Sequence, residues 1–296
     1  MLYDYFSQFL RHSKIERGLS SQTLMSYKQS FNLFLKVASN GVDSFQIFNS
    51  EVIRNFLYFG KQERKWANRT YHIHHNNLKV FCQWLVQQGH LPNNPLSSIL
   101  KPKLDKPLVH SLKESDVHKI LYAALFHSSS SHFLRFRNHA LLMLPLHTGL
   151  RLSEVLHLKI NDIRFEDNCV HVRQGKGAKD RLVIMTHELV SVLKSYLIEH
   201  EKFYNMGAFL LFPSKTGKPL NPREFRRITA KIIKLSGIKF AAHDLRRTYA
   251  TRLSQSNVSP FIMQQQLGHS DIRVTMRYVC HHREEIQKVM DEVHLY

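Results

Sequence analysis

His243-Asp244-Leu245-Arg246-Arg247, then Leu267-Gly268-His269, then Arg277-Tyr278-Val279 form the stretch on which the reading of this chain turns. Two histidines, an arginine and a tyrosine each stand just before, or at the start of, a segment that reads as helical. A phenol with a reference pKa of about 10 is a poor nucleophile unless its electrophile is held and charged for it. A phosphodiester accounts for the neighbours. Its non-bridging oxygens gain charge during in-line displacement, and guanidinium forks match them bidentately where a lysine ammonium cannot. Each preorganised donor of that kind is worth roughly 3 kcal/mol in a barrier. Working outward, a second arginine stands upstream in Thr148-Gly149-Leu150-Arg151-Leu152-Ser153-Glu154. A lysine follows in Gln174-Gly175-Lys176-Gly177-Ala178-Lys179-Asp180-Arg181.

Taken together, Arg151 in TGLR, Lys176 in a GKG turn, His243 and Arg246 in HxLR, His269 in LGH and the following Tyr278 resemble the tyrosine recombinases, or phage integrases, in the family's own order. The resemblance covers about residues 110 to 290, with a weaker match before it, and the compact form is similar to Xer recombinases and to small integrases of mobile elements. It implies a mainly α fold with a small β-sheet: an N-terminal helical core-binding (SAM-like) domain followed by an α+β tyrosine recombinase catalytic domain. It also implies site-specific DNA cutting and rejoining through a covalent 3′-phosphotyrosine. Tyr278 is then the nucleophile, Arg151 and Arg246 hold the non-bridging oxygens, and Lys176 protonates the 5′ leaving group. Lys179 in that role, or a plain surface lysine, are the alternatives at the turn. His243 assists proton movement at Tyr278, and His269 donates to the phosphate. No cofactor or metal is needed. The implied partner is double-stranded DNA, bound on two sites by a homo-tetramer or by a hetero-tetramer with a second recombinase subunit. Val279-Cys280 departs from the threonine and histidine that many members carry there. A topoisomerase that only nicks and reseals, and a catalytically silent DNA-binding protein, are the alternatives.

Composition agrees with a nucleic-acid partner. The chain has 296 residues, is 43% hydrophobic and 11% aromatic, and so can bury cores in two domains. Lys plus Arg at 42 against Asp plus Glu at 23 give a formal charge of +19, spread along the chain, which favours a polyanion. Cys82, Cys169 and Cys280 are odd in number and lack a CxxC pair, which speaks against a disulfide framework. No basic leader or long apolar run is present, so a cytoplasmic protein without a membrane span is expected.

Residues 1–100 read as helical throughout, and the resemblance implies that they are the DNA-binding domain. Leu24, Tyr27, Phe31 and Phe34 recur at helical spacing after Ser20-Ser21, and Val52, Ile53, Phe56 and Leu57 mark a shorter helix. A third helix runs from near Asn68 to Gly89, burying Tyr71, Leu78, Phe81 and Leu85 and leaving His72, His75, Asn76, Lys79 and Gln83 as a polar face, either solvated or, as the resemblance implies, turned to phosphates and base edges. Residues 101–110, rich in proline and lysine, read as a linker. The catalytic domain, residues 111–296, is expected to open with a helix capped by Ser115, then one around Asn138–His147. A helix from Ser153 follows, with Glu154 placed to hold Arg151. Cys169–Arg173 and Arg181–Met185 read as a hairpin, Phe209–Phe212 as a third strand, and Asn221-Pro222 as the start of a helix with a basic face of Arg223, Arg226, Arg227, Lys231 and Lys234. Ile286, Val289, Met290 and Val293 suggest a terminal amphipathic helix. Tyr249 reads as core and Tyr296 as a mobile end. His72, His74 and His75, or His281 and His282 beside Cys280, have no zinc-ligand spacing, and no GxxxxGK[ST] loop suggests ATP.

Overall fold

The computed structural model of the chain describes residues 2–38, 45–104, 111–173, 180–204 and 209–279. They fall into two compact units that divide between Pro107 and Leu108.

Four helices build the first unit: α1 (Leu2–Ile15), α2 (Ser21–Ala38), α3 (Ser50–Gln62) and α4 (Asn68–Gln87). Side-chain caps fix the starts of α2 and α3. Ser20 Oγ accepts from the Thr23 amide at 3.3 Å, and Asn49 Oδ1 accepts from Val52 at 2.9 Å, each satisfying a donor that a first helical turn leaves unpaired. The core is aromatic. Phe6 stacks on Phe31 at 3.8 Å between centroids, and Phe81 presents its edge to both in the T-shaped arrangement that ring quadrupoles favour.

The polar face expected on α4 differs from its reading. His75 is buried, and its Nε2–H donates to the Ile99 carbonyl at 3.1 Å. Burial lowers its pKa, which keeps the ring neutral. The cause lies in the chain after α4, which folds back along it. The Pro102 carbonyl meets His72 Nε2 at 2.7 Å, the Lys103 carbonyl accepts from Asn68, and Lys101 Nζ donates to Asn76 Oδ1 at 3.2 Å. Asn94 Nδ2 donates to the Lys79 carbonyl and to Gln83 Oε1. Part of the reserved face, and the start of the segment read as linker, are thus used inside this unit. His74 turns elsewhere, bonding Ser30 Oγ at 3.0 Å and stacking on Trp66. Among the described residues, no cluster of three His, Cys, Asp or Glu side chains is placed to hold a metal ion. Cys82 and Cys169 are free and buried.

The second unit is organised by α6 (His132–Thr148), whose Leu141, Leu142, Met143 and Leu144 are all buried. The helix starts at His132 instead of near Asn138, and its first turns bury Arg137 and Asn138 beside Phe133 and Leu134, so polar and apolar residues do not separate there into the two faces that periodicity detects. Before it, α5 (Glu114–Tyr122) runs on into a π-helical turn over Ala123–His127. Ser115 is not its cap: the cap is Lys113, two residues earlier, with Glu114 and Asp116 in a first turn whose dipole favours acids. After α6 come α7 (Leu152–His157) and a three-stranded antiparallel sheet, β1 (Ile163–Arg164), β2 (Cys169–Val172) and β3 (Arg181–Ile184), in the order β1-β2-β3. The register sets Val172 opposite Arg181, so Arg181 is the first paired residue of β3.

Phe209–Phe212 is not a strand of this sheet. Leu210 makes one antiparallel bridge to Lys159, flanked by bonds from Ile160 N to Phe209 O and from Leu211 N to Leu158 O. Leu211 and Phe212 are buried, so the apolar run correctly signals core while its pairing ends after one bridge. The remaining helices are α8 (His187–Tyr204), α9 (Pro222–Ser236), α10 (Ala242–Gln255), α11 (Pro260–Leu267) and α12 (Ile272–Thr275). Asn221 caps α9 through the amides of Arg223 and Glu224, and the Glu224 carboxylate reaches back to the Asn221 amide at 2.9 Å. The mainly α fold with a small sheet holds. Among the described residues no helix is long and apolar enough to cross a membrane.

Candidate active site

Glycines at two helix ends shape the site. Gly149 ends α6 with a φ of 65°, and Gly268 ends α11 with a φ of 62°, the left-handed cap that a side chain disfavours. Space forbids one as well. A Cβ on Gly149 would meet Leu267 Cδ2 and Tyr249 Cδ1, each at 2.6 Å, and one on Gly268 would meet the Arg181 guanidinium carbon at 2.6 Å. Gly149→Ala therefore combines about 1–2 kcal/mol of backbone strain with about 1–3 kcal/mol of overpacking. We expect a loss of roughly 2–4 kcal/mol in denaturant unfolding, and a loss below 1 kcal/mol would show that the turn relaxes.

After Gly149 the chain enters α7 at Arg151. Its amide donates to Glu154 Oε2 at 2.8 Å, its NH1 to Oε1 at 2.9 Å, and its NH2 to the Gly268 carbonyl at 2.9 Å. Glu154 thus stands where the sequence suggested. Arg181 joins the same carboxylate from β3, with NH1 to Oε1 and NH2 to Oε2, both at 3.0 Å. Burial alone would raise the Glu154 pKa, but the Arg181 fork and the Arg151 amide bring it below the usual carboxylate range.

Arg246, from the first turns of α10, is buried. Its NH1 donates to the Gly149 carbonyl and its NH2 to the Leu267 carbonyl at 2.8 Å. Both carbonyls lie at helix C-termini, where unpaired acceptors and the helix dipole favour a cation. Burial, and then Arg151, push the Arg246 pKa down to about 10, so it stays charged at neutral pH.

His269 follows Gly268. Its amide donates to the Gln264 carbonyl at 3.1 Å and its Nδ1 lies 2.8 Å from the hydroxyl of buried Thr275. Burial, followed by Arg246, Arg151 and Arg181, lowers its pKa to about 4, so it is a neutral ring at pH 7. With Nδ1 accepting from Thr275, Nε2 carries the proton and can donate. His243 stands at the start of α10 with part of its surface open to solvent, its pKa lowered by partial desolvation and by Arg247 and Arg246. Tyr278 lies just past α12, its amide bonded to the Thr275 carbonyl and its ring half-buried against the Ala250, Met263 and Leu267 cluster. Tyr278 stands close enough to Arg246 to act electrostatically on its guanidinium. Tyr249 packs in the same cluster, and burial raises its pKa.

Arg151, Arg246, His243, His269 and Tyr278 therefore come together. Lys176, Lys179, the terminal segment from Cys280 and Tyr296 lie outside the described residues. Arg181, to which the sequence reading gave no role, completes the cluster. Its only sequence signal is its place as the first strand residue after the GKG turn. Two guanidiniums share the Glu154 carboxylate, a third is held by two carbonyls, and both histidines are pushed toward neutrality. The site is short of negative charge, and a phosphate supplies it.

A tyrosine beside an anion-binding cluster of arginines and neutral histidines, on an α+β unit preceded by a helical one, defines a strand-transfer class of DNA enzyme. The sequence profile of the phage integrase family matches residues 110–285, and that of the phage integrase N-terminal SAM-like domain matches residues 6–89. The chain belongs to the phage integrase family, the tyrosine recombinases, whose members cleave and rejoin DNA strands. It is 29% identical over 302 residues to tyrosine recombinase XerC of Thermodesulfovibrio yellowstonii, with 98% of this chain and 96% of the relative covered. It is likewise 29% identical over 302 residues to tyrosine recombinase XerD of Listeria monocytogenes serotype 4b, with 98% of each covered. Among solved structures, the Tn1549 transposon integrase in complex with transposon right end DNA matches with a TM-score of 0.76 at 18% identity, covering 98% of both chains. The XerH site-specific recombinase bound to difH substrate matches at 0.72 and 22%, covering 97% of this chain and 83% of that one. These likenesses extend the fold over both units.

Proposed function

We propose that this chain is a site-specific DNA recombinase of the Xer or mobile-element type, acting on double-stranded DNA through a covalent 3′-phosphotyrosine. The observation that carries the reading is the surplus of guanidinium over carboxylate beside Tyr278. Tyr278 Oη attacks the scissile phosphorus and the bond to the 5′ oxygen breaks. The phenol proton leaves by way of His243, and Lys176 returns a proton to the 5′ oxygen. Arg151 and Arg246 hold the non-bridging oxygens, and the neutral His269 donates through Nε2. The phosphotyrosine preserves the bond energy, so attack by a 5′ hydroxyl of another strand regenerates the tyrosine without ATP, metal or cofactor. Residues 1–100 act as the core-binding domain, 101–110 as linker and 111–296 as the catalytic domain. Exchange requires a tetramer on two sites, built from this chain alone or with a second recombinase subunit, in the cytoplasm.

The test is a duplex recovered by selection from a randomised pool, nicked near the cleavage position and resolved by denaturing electrophoresis. A protein–DNA band is expected; tight binding with no band under any nick placement would refute the reading.

On α9, Arg223, Arg226, Arg227, Lys231 and Lys234 are all exposed. If two of them touch phosphates, replacing Arg227 and Lys231 with glutamine removes about two counterion equivalents. The slope of log affinity against log salt should then become shallower by about 1.8. An unchanged slope would place α9 away from the duplex.

A further inference from the structure

Four N–H groups converge on Glu154: the Arg151 amide, Arg151 NH1, Arg181 NH1 and Arg181 NH2, all between 2.8 and 3.0 Å. A carboxylate offers about four lone-pair sites, so it is full. The two arginines divide it unequally. Arg181 takes the fork-to-fork geometry that guanidinium and carboxylate prefer, one nitrogen on each oxygen. Arg151 reaches only Oε1 with its side chain, and its other terminal nitrogen is held by the Gly268 carbonyl.

We propose that Arg181 is a positioning residue whose occupation of both Glu154 oxygens keeps Arg151 held without being neutralised, so that Arg151 remains free to meet the scissile phosphate. This rests on the recombinase reading above. Were Arg181 absent, Arg151 could turn its own fork onto both oxygens, let go of Gly268 and spend its charge on Glu154. The cluster would lose one positive charge, and its remaining arginine on that side would point at the wrong anion.

The seat of Arg181 is built for it. Its side chain is 13% exposed, it leads β3 where Val172 fixes its register, and the missing Cβ of Gly268 leaves the space its guanidinium occupies. The same glycine holds Arg151 by its carbonyl and seats Arg181 by its lack of a side chain. Stability alone does not explain this arrangement. Among the described residues Arg181 Nε is buried with no hydrogen-bond partner, and Arg181 and Arg151 both act on the buried Arg246, conditions under which a buried charge is a poor source of folding energy.

The experiment measures single-turnover adduct formation on the nicked selected duplex, at saturating protein and below the melting temperature of every variant. Arg181→Ala should slow adduct formation about 10²-fold, the scale of a misplaced reacting group, while DNA affinity stays within about threefold. Arg181→Lys, which keeps the charge and is the safer variant for folding, should also be slow, because a point charge covers one oxygen and leaves the other to Arg151. Glu154→Gln alone should slow the reaction. In the Arg181→Ala background the same change should speed it by about tenfold, since a neutral amide holds Arg151 less tightly. That reversal of sign is what a purely structural role would not give. Wild-type rates in Arg181→Ala or Arg181→Lys, or no gain from Glu154→Gln in the Arg181→Ala background, would overturn the inference while leaving the recombinase reading intact. Absence of an adduct with the wild-type chain would sink both.

Discussion

Tyr278→Phe should bind the selected duplex as tightly as the wild-type chain and form no covalent adduct with it. The substitution removes one oxygen from a half-buried ring that packs on the Ala250, Met263 and Leu267 cluster, and its amide bond to Thr275 is untouched. Folding and the arginine cluster should therefore survive. Affinity for DNA comes from phosphate contacts spread over a basic protein, of which one phenol is a negligible part. The chemistry has no substitute. Loss of a catalytic nucleophile costs on the order of 10⁶ in rate where it has been measured by substitution, which puts the adduct below detection on a gel. The neighbouring Tyr249 cannot step in, since it packs in the same core and burial raises its pKa. An adduct that persists in Tyr278→Phe would move the nucleophile to another residue, with Tyr296 the first to replace. Loss of binding together with loss of the adduct would instead show that the hydroxyl shapes the site.

What could be read from sequence follows from how each feature is encoded. TGLR, HxLR and LGH are legible because two of them hold a glycine where the chain must turn through positive φ and a third residue must approach closely: Gly149 against Tyr249 and Leu267, Gly268 against Arg181. The amphipathic helices α2, α3 and α4 are legible by period, and α9 by its Asn221-Pro222 cap. The buried α6 is legible only from Asn138 on, because its first turns bury Arg137 and Asn138 along with Phe133 and Leu134 and so show no separate polar side. His75 was misplaced for the opposite reason: its neighbours on α4 are polar, and only the return of the chain at Ile99 shows that this side is covered. Arg181 is the clearest limit. Its importance lies in sharing Glu154 with Arg151, and that convergence brings together residues from α7 and β3 that no local pattern links.

Arg246→Lys tests the most deeply set member of the cluster. A guanidinium reaches the Gly149 and Leu267 carbonyls at once and still has N–H groups to offer a phosphate. A lysine ammonium cannot span both helix ends, so one buried carbonyl is left without a donor. That costs about 1–3 kcal/mol of stability. It also releases the junction of α6 with α11 that seats Arg151, since Gly268 follows directly on Leu267. Loss of one preorganised donor lowers cleavage by about 10²–10³-fold, and the disturbed Arg151 should take the total toward the upper figure. The substituted lysine should also titrate. Burial and Arg151 already push Arg246 down to about 10, and a lysine starts lower, near about 10.4 when exposed. Its folded pKa would be depressed in the same environment. The charge is then present below that pKa and lost as pH rises through it. Residual adduct formation by Arg246→Lys should consequently decline with rising pH from neutrality, across a range where the wild-type arginine stays protonated. Single-turnover rates measured for both proteins between pH 6 and about 9, a window set by the depressed lysine, decide the matter. Parallel profiles would mean that the position does not require a charge that stays fixed, and that Arg246 serves the helix ends more than the phosphate.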